Sequence, residues 1–517
     1  MKPKMSSGPD KISSRLLKDI FPIIAVPLRH VFNLSLQTGY IPVEFKIAKV
    51  VPIFKSGDVH SFTNYRPISL LSSLSKVLEK VVARQVVRYL NANKILYGHQ
   101  YGFRSGHSTT FPVIHFLNNI YMASNSSEPE YSIGIFLDLK KAFDTVDHKI
   151  LLCKMKHYGF RGTAYNWFHS YLTGRKQYVC INGVDSEKRN LTCGIPQGSV
   201  LGPLLFILYI NDLHRATSFL TYLFADDTSF QMSSPSLNNL ILMSNAELEK
   251  VAKWFASNKL TVSIPKSKYM IFTPRNNMNI TTEGLQIEIG NQPIERIGFD
   301  MPDKYFKFLG HFLDDKLSWE FHIRNIQGKI SAGNFALARV KNTLPTSIKI
   351  MLYNSLIKSH LEYGILAWGG VSQGKLNRLL NIQKKAIRNV SGKSKLAHCD
   401  PLFHAHKVLK VQDIYRYSCA IFMYKYKGNM LPESFNNMFT PFNDPNRTLG
   451  YKIPRSMTTS LRQFPLPSFP RIWNAEPLDI KSADSLKVFR SGLLSLILEE
   501  YPAEVRCNRA ACRECRA

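Results

Sequence analysis

Tyr222-Leu-Phe-Ala-Asp-Asp-Thr-Ser-Phe-Gln-Met232 is two short apolar or aromatic runs broken by an adjacent pair of acids. This pattern predicts a β-hairpin interrupted by Asp226 and Asp227. Like charges side by side in apolar surroundings repel, so something positive is expected to compensate them. Upstream, Ile133–Leu137 is an apolar run closed by Asp138, the pattern of a strand buried on both faces. Carboxylates are hard oxygen donors that suit Mg²⁺. Three on neighbouring strand ends could hold two ions about 3.5–4 Å apart, the arrangement that clamps a phosphoryl transfer. Acids at strand ends also serve as turn caps, and spacing alone does not bring position 138 to position 226.

Working outward, Ala48–Phe54 reads as a strand followed by a turn at Lys55-Ser-Gly-Asp58. Leu74–Asn91 has apolar residues at helical spacing. Short helices are expected around Ser14–Ile20 and Pro27–Thr38, a helix at Asn245–Phe255, and strands near Leu260–Ile264 and Tyr269–Thr273. Strands and helices interleave to about residue 315, after which the pattern is mainly helical. No internal repeat or long low-complexity stretch interrupts it.

The 517 residues carry 67 Lys+Arg against 37 Asp+Glu, a net charge of +30, which favours polyanionic partners. A hydrophobic fraction of 44% excludes global disorder. The longest apolar runs, Phe21–Leu28 and Val200–Ile210, fall short of the roughly 20 residues of a spanning helix, so no membrane partner is expected. No secretory signal opens the chain and the eight Cys are mostly scattered, so the expected location is nucleus and/or cytoplasm, not secreted. Between Ile323 and Lys395 there are thirteen Lys/Arg and one acid, Glu362. Lys375, Arg378, Lys384, Lys385 and Arg388 fall outward on one amphipathic helix, and are read as nucleic-acid backbone contacts rather than a solvated face.

Phe136-Leu-Asp-Leu-Lys-Lys-Ala-Phe-Asp-Thr-Val-Asp-His148, Gly194-Ile-Pro-Gln-Gly-Ser-Val-Leu-Gly-Pro203 and Phe224-Ala-Asp-Asp-Thr228 follow in that order. Together they closely resemble catalytic motifs A, B and C of reverse transcriptases. Asn64-Tyr-Arg-Pro-Ile-Ser-Leu-Leu71 and Lys307-Phe-Leu-Gly-His-Phe-Leu-Asp-Asp315 are similar to the non-LTR (LINE-type, jockey-like) retrotransposon branch. The resemblance runs from Gly8-Pro-Asp10 past Trp368 and weakens towards Arg471-Ile-Trp-Asn474 and Asp479-Ile-Lys-Ser482.

The resemblance implies an α+β right-hand polymerase with an antiparallel palm sheet. Residues 1–35 would extend the fingers, 36–315 form fingers and palm, 316–395 a basic helical thumb, and 396–517 a C-terminal region of uncertain fold. It further implies that Asp138, Asp226 and Asp227 bind two Mg²⁺, for which Mn²⁺ substitutes. One ion would lower the pKa of the primer 3′-hydroxyl and the other hold the triphosphate. Phe143 would be the steric gate against a 2′-hydroxyl. Gln197 and Gly198 would pack at the incoming nucleotide, and Lys55 and Arg66 would hold its triphosphate. Lys266 would protonate pyrophosphate, although Ser263-Ile-Pro-Lys-Ser-Lys268 departs from the family's Asn and Lys-Thr-Lys. Phe308, Leu309 and Gly310 would form the primer grip. Asp144 and Asp147 are read as structural or solvated acids.

The partners implied are an RNA template, a DNA primer or target, and dNTPs. Family members carry an apurinic-type endonuclease upstream, so the expectation is a truncated copy or gene-model fragment. The alternative is a catalytically inactive relic acting only as a nucleic-acid-binding protein. A maturase-like splicing factor would need a thumb pattern not found here. Cys507, Cys512 and Cys515 make an incomplete zinc knuckle with no downstream His, read as a basic tail, and the group His398, Cys399, His404, His406 is a weaker metal pattern still.

Overall fold

The computed structural model describes residues 7–274, 286–442 and 449–502. The Cys507, Cys512 and Cys515 pattern therefore lies outside the described residues. Helix α1 (Ser14–Thr38) is capped by Ser13, whose side chain accepts from the Leu16 N–H, and closed by Gly39 at φ 70°. It corrects two expectations. Pro22 and Pro27 lie inside one continuous helix instead of separating two short ones. Among the described residues, this helix is long and apolar enough to cross a membrane by length and composition. Counting uninterrupted runs missed it because a proline breaks a run without always breaking a helix. Leu17 and Phe32 are buried, while Phe21, Ile23, Val26 and Leu34 are exposed.

β1 (Ile47–Phe54) pairs antiparallel with β2 (Tyr65–Leu70), Ile53 opposite Arg66. α2 (Ser73–Ala92) starts at Ser72, whose hydroxyl accepts from the Leu74 and Ser75 N–H groups. α3 (Thr110–Ser124) is buried almost all round. It leads to β3 (Tyr131–Leu137), the centre of the second sheet. β4 (Lys176–Ile181) lies parallel to β1. The apolar helix α4 (Gly202–Ile210) has every residue but Pro203 buried. The expected hairpin follows as β5 (Leu220–Phe224) and β6 (Asp227–Ser234). α5 (Leu237–Ser257) packs behind it, then come β7 (Lys268–Phe272) and β8 (Glu295–Ile297).

The central sheet has the order β8-β7-β3-β6-β5. Its β3–β6, β3–β7 and β5–β6 pairs are antiparallel, but the edge pair β7–β8 is parallel, which amends the wholly antiparallel expectation. The strand expected near Leu260–Ile264 is instead one bridge, Leu139 to Val262, followed by a 3₁₀ turn at Ile264–Lys266. Pro265, having no N–H to give to a ladder, keeps this pairing from extending further.

β3 is buried on both faces, as its unbroken apolar run predicts. Ile133, Ile135 and Leu137 enter one core with α2, α4 and α5. Phe136 enters a second core with α3 and the helices beyond residue 319. Gly134 lies under the Phe116 ring, whose nearest atom would stand 2.6 Å from an added Cβ.

Beyond the sheet, β9 (Phe306–Phe308) and β10 (His311–Leu313) form a second hairpin. α6 (Glu320–Arg339), α7 (Gln373–Val390), α8 (Val411–Lys427) and α9 (Pro465–Ala475) make the C-terminal half helical. One apolar core runs from α3 through α6 and α7 to α8 and α9, so it does not break near residue 395. The buried Gln383 of α7 fastens this join, donating to the Leu409 carbonyl at 2.8 Å and accepting from the Val411 N–H at 3.0 Å.

Candidate active site

Asp138 is the first residue past β3. Its N–H donates to Ser267 Oγ at 3.3 Å, and its carbonyl accepts from the Ser263 N–H at 2.7 Å. These bonds zip residues 261–267 against the strand end and place Lys266 Nζ 3.7 Å from Asp138 Oδ2. Lys266 is largely exposed and Asp138 partly so, and the pair is a weak one.

The β5–β6 register pairs Phe224 with Asp227 and leaves Ala225-Asp226 as a two-residue loop. Ala225 sits at φ 59°, a position where such loops favour glycine. Holding alanine there costs on the order of 1–2 kcal/mol unless neighbours impose it. They do. The Oε1 of Gln100, itself fully buried, accepts from the Ala225 N–H at 3.3 Å and the Gly102 N–H at 2.8 Å. Residues 99–101 add to β5 through His99 O to the Leu223 N–H and Leu223 O to the Tyr101 N–H. Gly102 lies so close that an added Cβ would stand 2.2 Å from Ala225 N.

The three carboxylates act on one another electrostatically. Burial pushes the Asp226 carboxyl above its ordinary range and the charge of Asp138 adds to this, while Arg66 and Lys55 oppose it. Asp227 is exposed at its own surface but surrounded by protein at longer range. That surrounding, then the charges of Asp226 and Asp138, push it up to about 6. Among the described residues, no three His, Cys, Asp or Glu side chains are gathered closely enough to hold a metal ion. The carboxylates thus share one field without being drawn into a ligand set. Their donor chemistry fits a divalent cation, since uncompensated like charges and hard oxygens are what such an ion neutralises.

Lys55 and Arg66 are exposed at the β1–β2 end, within electrostatic reach of Asp226. Phe143 stacks on Phe206 of α4, ring centroids 4.8 Å apart at 24°. The segments around 143–148 and 193–198 are laced together. Ile195 N–H donates to the Phe143 carbonyl and Gly194 N–H to the Val146 carbonyl, each at 2.8 Å. Gln197 Nε2 donates to Asp144 Oδ1 at 2.9 Å. A carboxylate only accepts, so Asp144 fixes which way the Gln197 amide faces. Asp144 is therefore not a solvated acid, and burial raises its carboxyl. Asp147 is structural, as expected, capping the helix at Lys149 and Ile150 and pairing with Lys259 at 2.6 Å. Gly198 has φ 128° and faces the Ser69 carbonyl, 2.4 Å from where a Cβ would sit, so only glycine fits this approach to β2.

Phe308 is buried against Phe136 and Phe116, at 5.0 and 5.8 Å between centroids. Leu309 and Gly310 both have positive φ and make the β9–β10 turn, and Tyr363 OH donates to the Leu309 carbonyl at 2.9 Å.

Helix α7 departs from expectation. Its five cations do lie on its polar side, but the protein engages three of them. Arg378 makes a bidentate pair with Glu320 at 2.6 and 2.8 Å. Lys375 donates to the Ser318 carbonyl, and Arg388 to the Ala397 carbonyl at 2.7 Å. The reason is local: Glu320 stands three residues before the acid-poor window and folds back onto α7 as α6 packs along it. Lys385 is exposed and Lys384 half-buried, both without such a partner among the described residues.

Two functional positions escaped the sequence. Gln100, which braces the Asp turn, carries no pattern of its own. Glu79, 1% exposed on α2, accepts from the Val200 and Leu201 N–H groups at 2.6 and 3.2 Å and so anchors the start of α4 to α2. A charged residue on the buried face of an amphipathic helix was the available signal.

Residues 53–313, just over half of the chain, match the family "Reverse transcriptase (RNA-dependent DNA polymerase)". The chain belongs to the reverse transcriptase family. The matched span runs from the end of β1 through β10 and takes in the three carboxylates. Similar proteins include "RNA-directed DNA polymerase from mobile element jockey" of Drosophila melanogaster, 29% identical over 75% of this chain and 42% of the relative. "Probable RNA-directed DNA polymerase from transposon BS" of the same fly is 31% identical over 75% of the chain and 43% of the relative. A type-1 element R1 Pol polyprotein of Bradysia coprophila is 26% identical over 71% and 36%. The chain thus spans less than half the length of these relatives. Reverse transcriptases generally use divalent metal ions, nucleic-acid template and primer, and dNTPs.

Proposed function

We propose that this protein is the RNA-directed DNA polymerase of a non-LTR retrotransposon, extending a primer 3′-end with dNTPs on an RNA template. The observation that carries the reading is the strained Ala225-Asp226 turn. It holds Asp226 and Asp227 within electrostatic reach of Asp138 and, among the described residues, with no cation bonded to the pair, in a chain of this family. Residues 36–315 serve as fingers and palm, with 1–35 extending the fingers, 316–395 as thumb, and 396–517 continuing from the thumb. It works in the nucleus and/or cytoplasm, where RNA, DNA and dNTPs are available.

Asp138, Asp226 and Asp227 hold two Mg²⁺, and bound there the ions supply Lewis acidity to the primer hydroxyl and the triphosphate. Lys55 and Arg66 face the same site from the β1–β2 end and bind the triphosphate. Phe143, backed by Phe206, excludes a 2′-hydroxyl. Gln197, its amide set by Asp144, presents its carbonyl oxygen and remaining N–H to the nucleotide. Lys266 stands beside Asp138, placed to give a proton to the leaving pyrophosphate. The Phe308–Gly310 turn supports the primer end. The test is extension of oligo(dT) on poly(rA) by the purified chain, with and without chelator. Mg²⁺-dependent dTTP incorporation is expected; none with Mg²⁺ or Mn²⁺ overturns the reading.

A further inference from the structure

Residues 449–475 contain Lys452, Arg455, Arg462 and Arg471 and no acid. They lie past the matched family span, and none of the roles above falls on them. Their fold gathers the three arginines around one surface cleft of about 560 Å³, together with Ser456, Met457 and Pro467. All three arginines are exposed, and no acid lines the cleft.

The cleft is built on fixed main chain. The Arg455 carbonyl accepts from Asn125 Nδ2 at 2.7 Å and Tyr121 OH at 3.2 Å, and the Met457 N–H donates to Asn125 Oδ1 at 2.8 Å. These bonds tie the Arg455 side of the cleft to the end of α3. Across from it, the Arg471 guanidinium donates to the Arg462 carbonyl at 3.1 Å and to Ser468 Oγ at 3.4 Å, which draws it towards Arg462. Among the described residues, the Arg455 and Arg462 guanidiniums make no such bond. Three like charges are thus held around one concavity without an internal counter-charge, and an anionic ligand relieves their repulsion. Guanidinium forks match phosphate oxygens in pairs.

We propose that Arg455, Arg462 and Arg471 form a nucleic-acid backbone site separate from the carboxylates and from α7. The choice of nucleic acid rests on the polymerase reading. The cleft abuts the end of α3, next to the start of β3, whereas Asp138 follows the other end of that seven-residue strand. At ~3.3 Å per residue the separation along the strand is roughly 23 Å. At ~3.4 Å per nucleotide, about seven nucleotides separate the two places. The site therefore holds a long strand and contributes nothing to chemistry on a primer end.

The test measures binding of the full chain to a 40-nucleotide RNA and to a 40-base-pair DNA across a salt series. The variants are R455Q/R462Q/R471Q and R455K/R462K/R471K. The Gln variant is expected to lose roughly tenfold in affinity and to flatten the slope of log K against log salt by about two units. The nucleic acid showing the larger loss is the one the cleft holds. The Lys variant should keep most of the slope, which shows that the Gln variant fails through charge and not through misfolding. dTTP incorporation at saturating template–primer should be unchanged. A wild-type slope for the Gln variant on both nucleic acids overturns the proposal. If the wild type binds with the expected slope but never extends a primer, the polymerase reading falls and the cleft stands.

Discussion

The β5–β6 turn and helix α7 are both charged beyond what packing requires, and the protein treats them in opposite ways. On α7, Arg378 is clamped by Glu320 while Lys375 and Arg388 are spent on main-chain carbonyls. At the turn, the chain holds Ala225 in a left-handed conformation and buries Gln100 beneath it, and still, among the described residues, gives Asp226 and Asp227 no bonded cation. Charge density alone therefore does not identify a ligand site. Charge that the fold leaves unpaired does, and Arg455 and Arg462 of the cleft fall on the same side of this division as the carboxylates, with Arg471 drawn beside them by the Arg462 carbonyl.

The largest effect that would sharpen the contrast is at the turn itself. Asp226→Asn removes a metal ligand and no phosphate contact, so extension should fall at least a hundredfold with duplex affinity nearly unchanged. Retention of a tenth of wild-type extension would place Asp226 with the structural acids. Phe143→Ala opens the space beneath the sugar and should lower dNTP over rNTP selectivity by about tenfold or more, read in competition assays. Smaller effects follow from protonation. A divalent ion competes with the proton, and Asp227 is pushed up to about 6 in the ion-free protein. Metal affinity should therefore be full above pH 6, fall as the pH drops through that value, and be accompanied by proton release on binding. Without metal the sign is reversed: the folded state favours the protonated carboxyl, so stability should decline as the pH rises from about 4 to 6.

Asp144→Ala should raise the dNTP KM severalfold through Gln197, and add nothing in a Gln197→Ala background. Additive losses in that double-mutant cycle would make Asp144 merely structural. The smallest effect belongs to α7. Lys384→Gln with Lys385→Gln should flatten the salt slope by one to two units, about 0.9 per phosphate. Arg378→Gln should leave the slope unchanged and cost stability by unpairing Glu320. A slope change from Arg378→Gln equal to that of the two lysines would erase the distinction drawn here.

Much of this was legible because local pattern and tertiary role coincide. An apolar run closed by an acid is a doubly buried strand, and β3 is one. Two aromatic runs around an Asp pair make a hairpin, and β5–β6 is one. Three things were not legible, the first for a non-local reason and the other two because of how prolines are accommodated. Glu320 reaches α7 only because α6 folds back along it. The strand expected at Leu260–Ile264 shrinks to one bridge, which the 3₁₀ turn containing Pro265 ends. α1 is continuous because its prolines are accommodated within one helix, which no count of uninterrupted apolar residues detects.

The most direct test of the account counts divalent ions at the carboxylates. Mn²⁺ bound to the protein with a dideoxy-terminated primer, RNA template and dNTP can be titrated by electron paramagnetic resonance, for wild type and for D226N/D227N. The account predicts about two ions held by the wild type and lost in the variant. Equal Mn²⁺ binding by both proteins would contradict it.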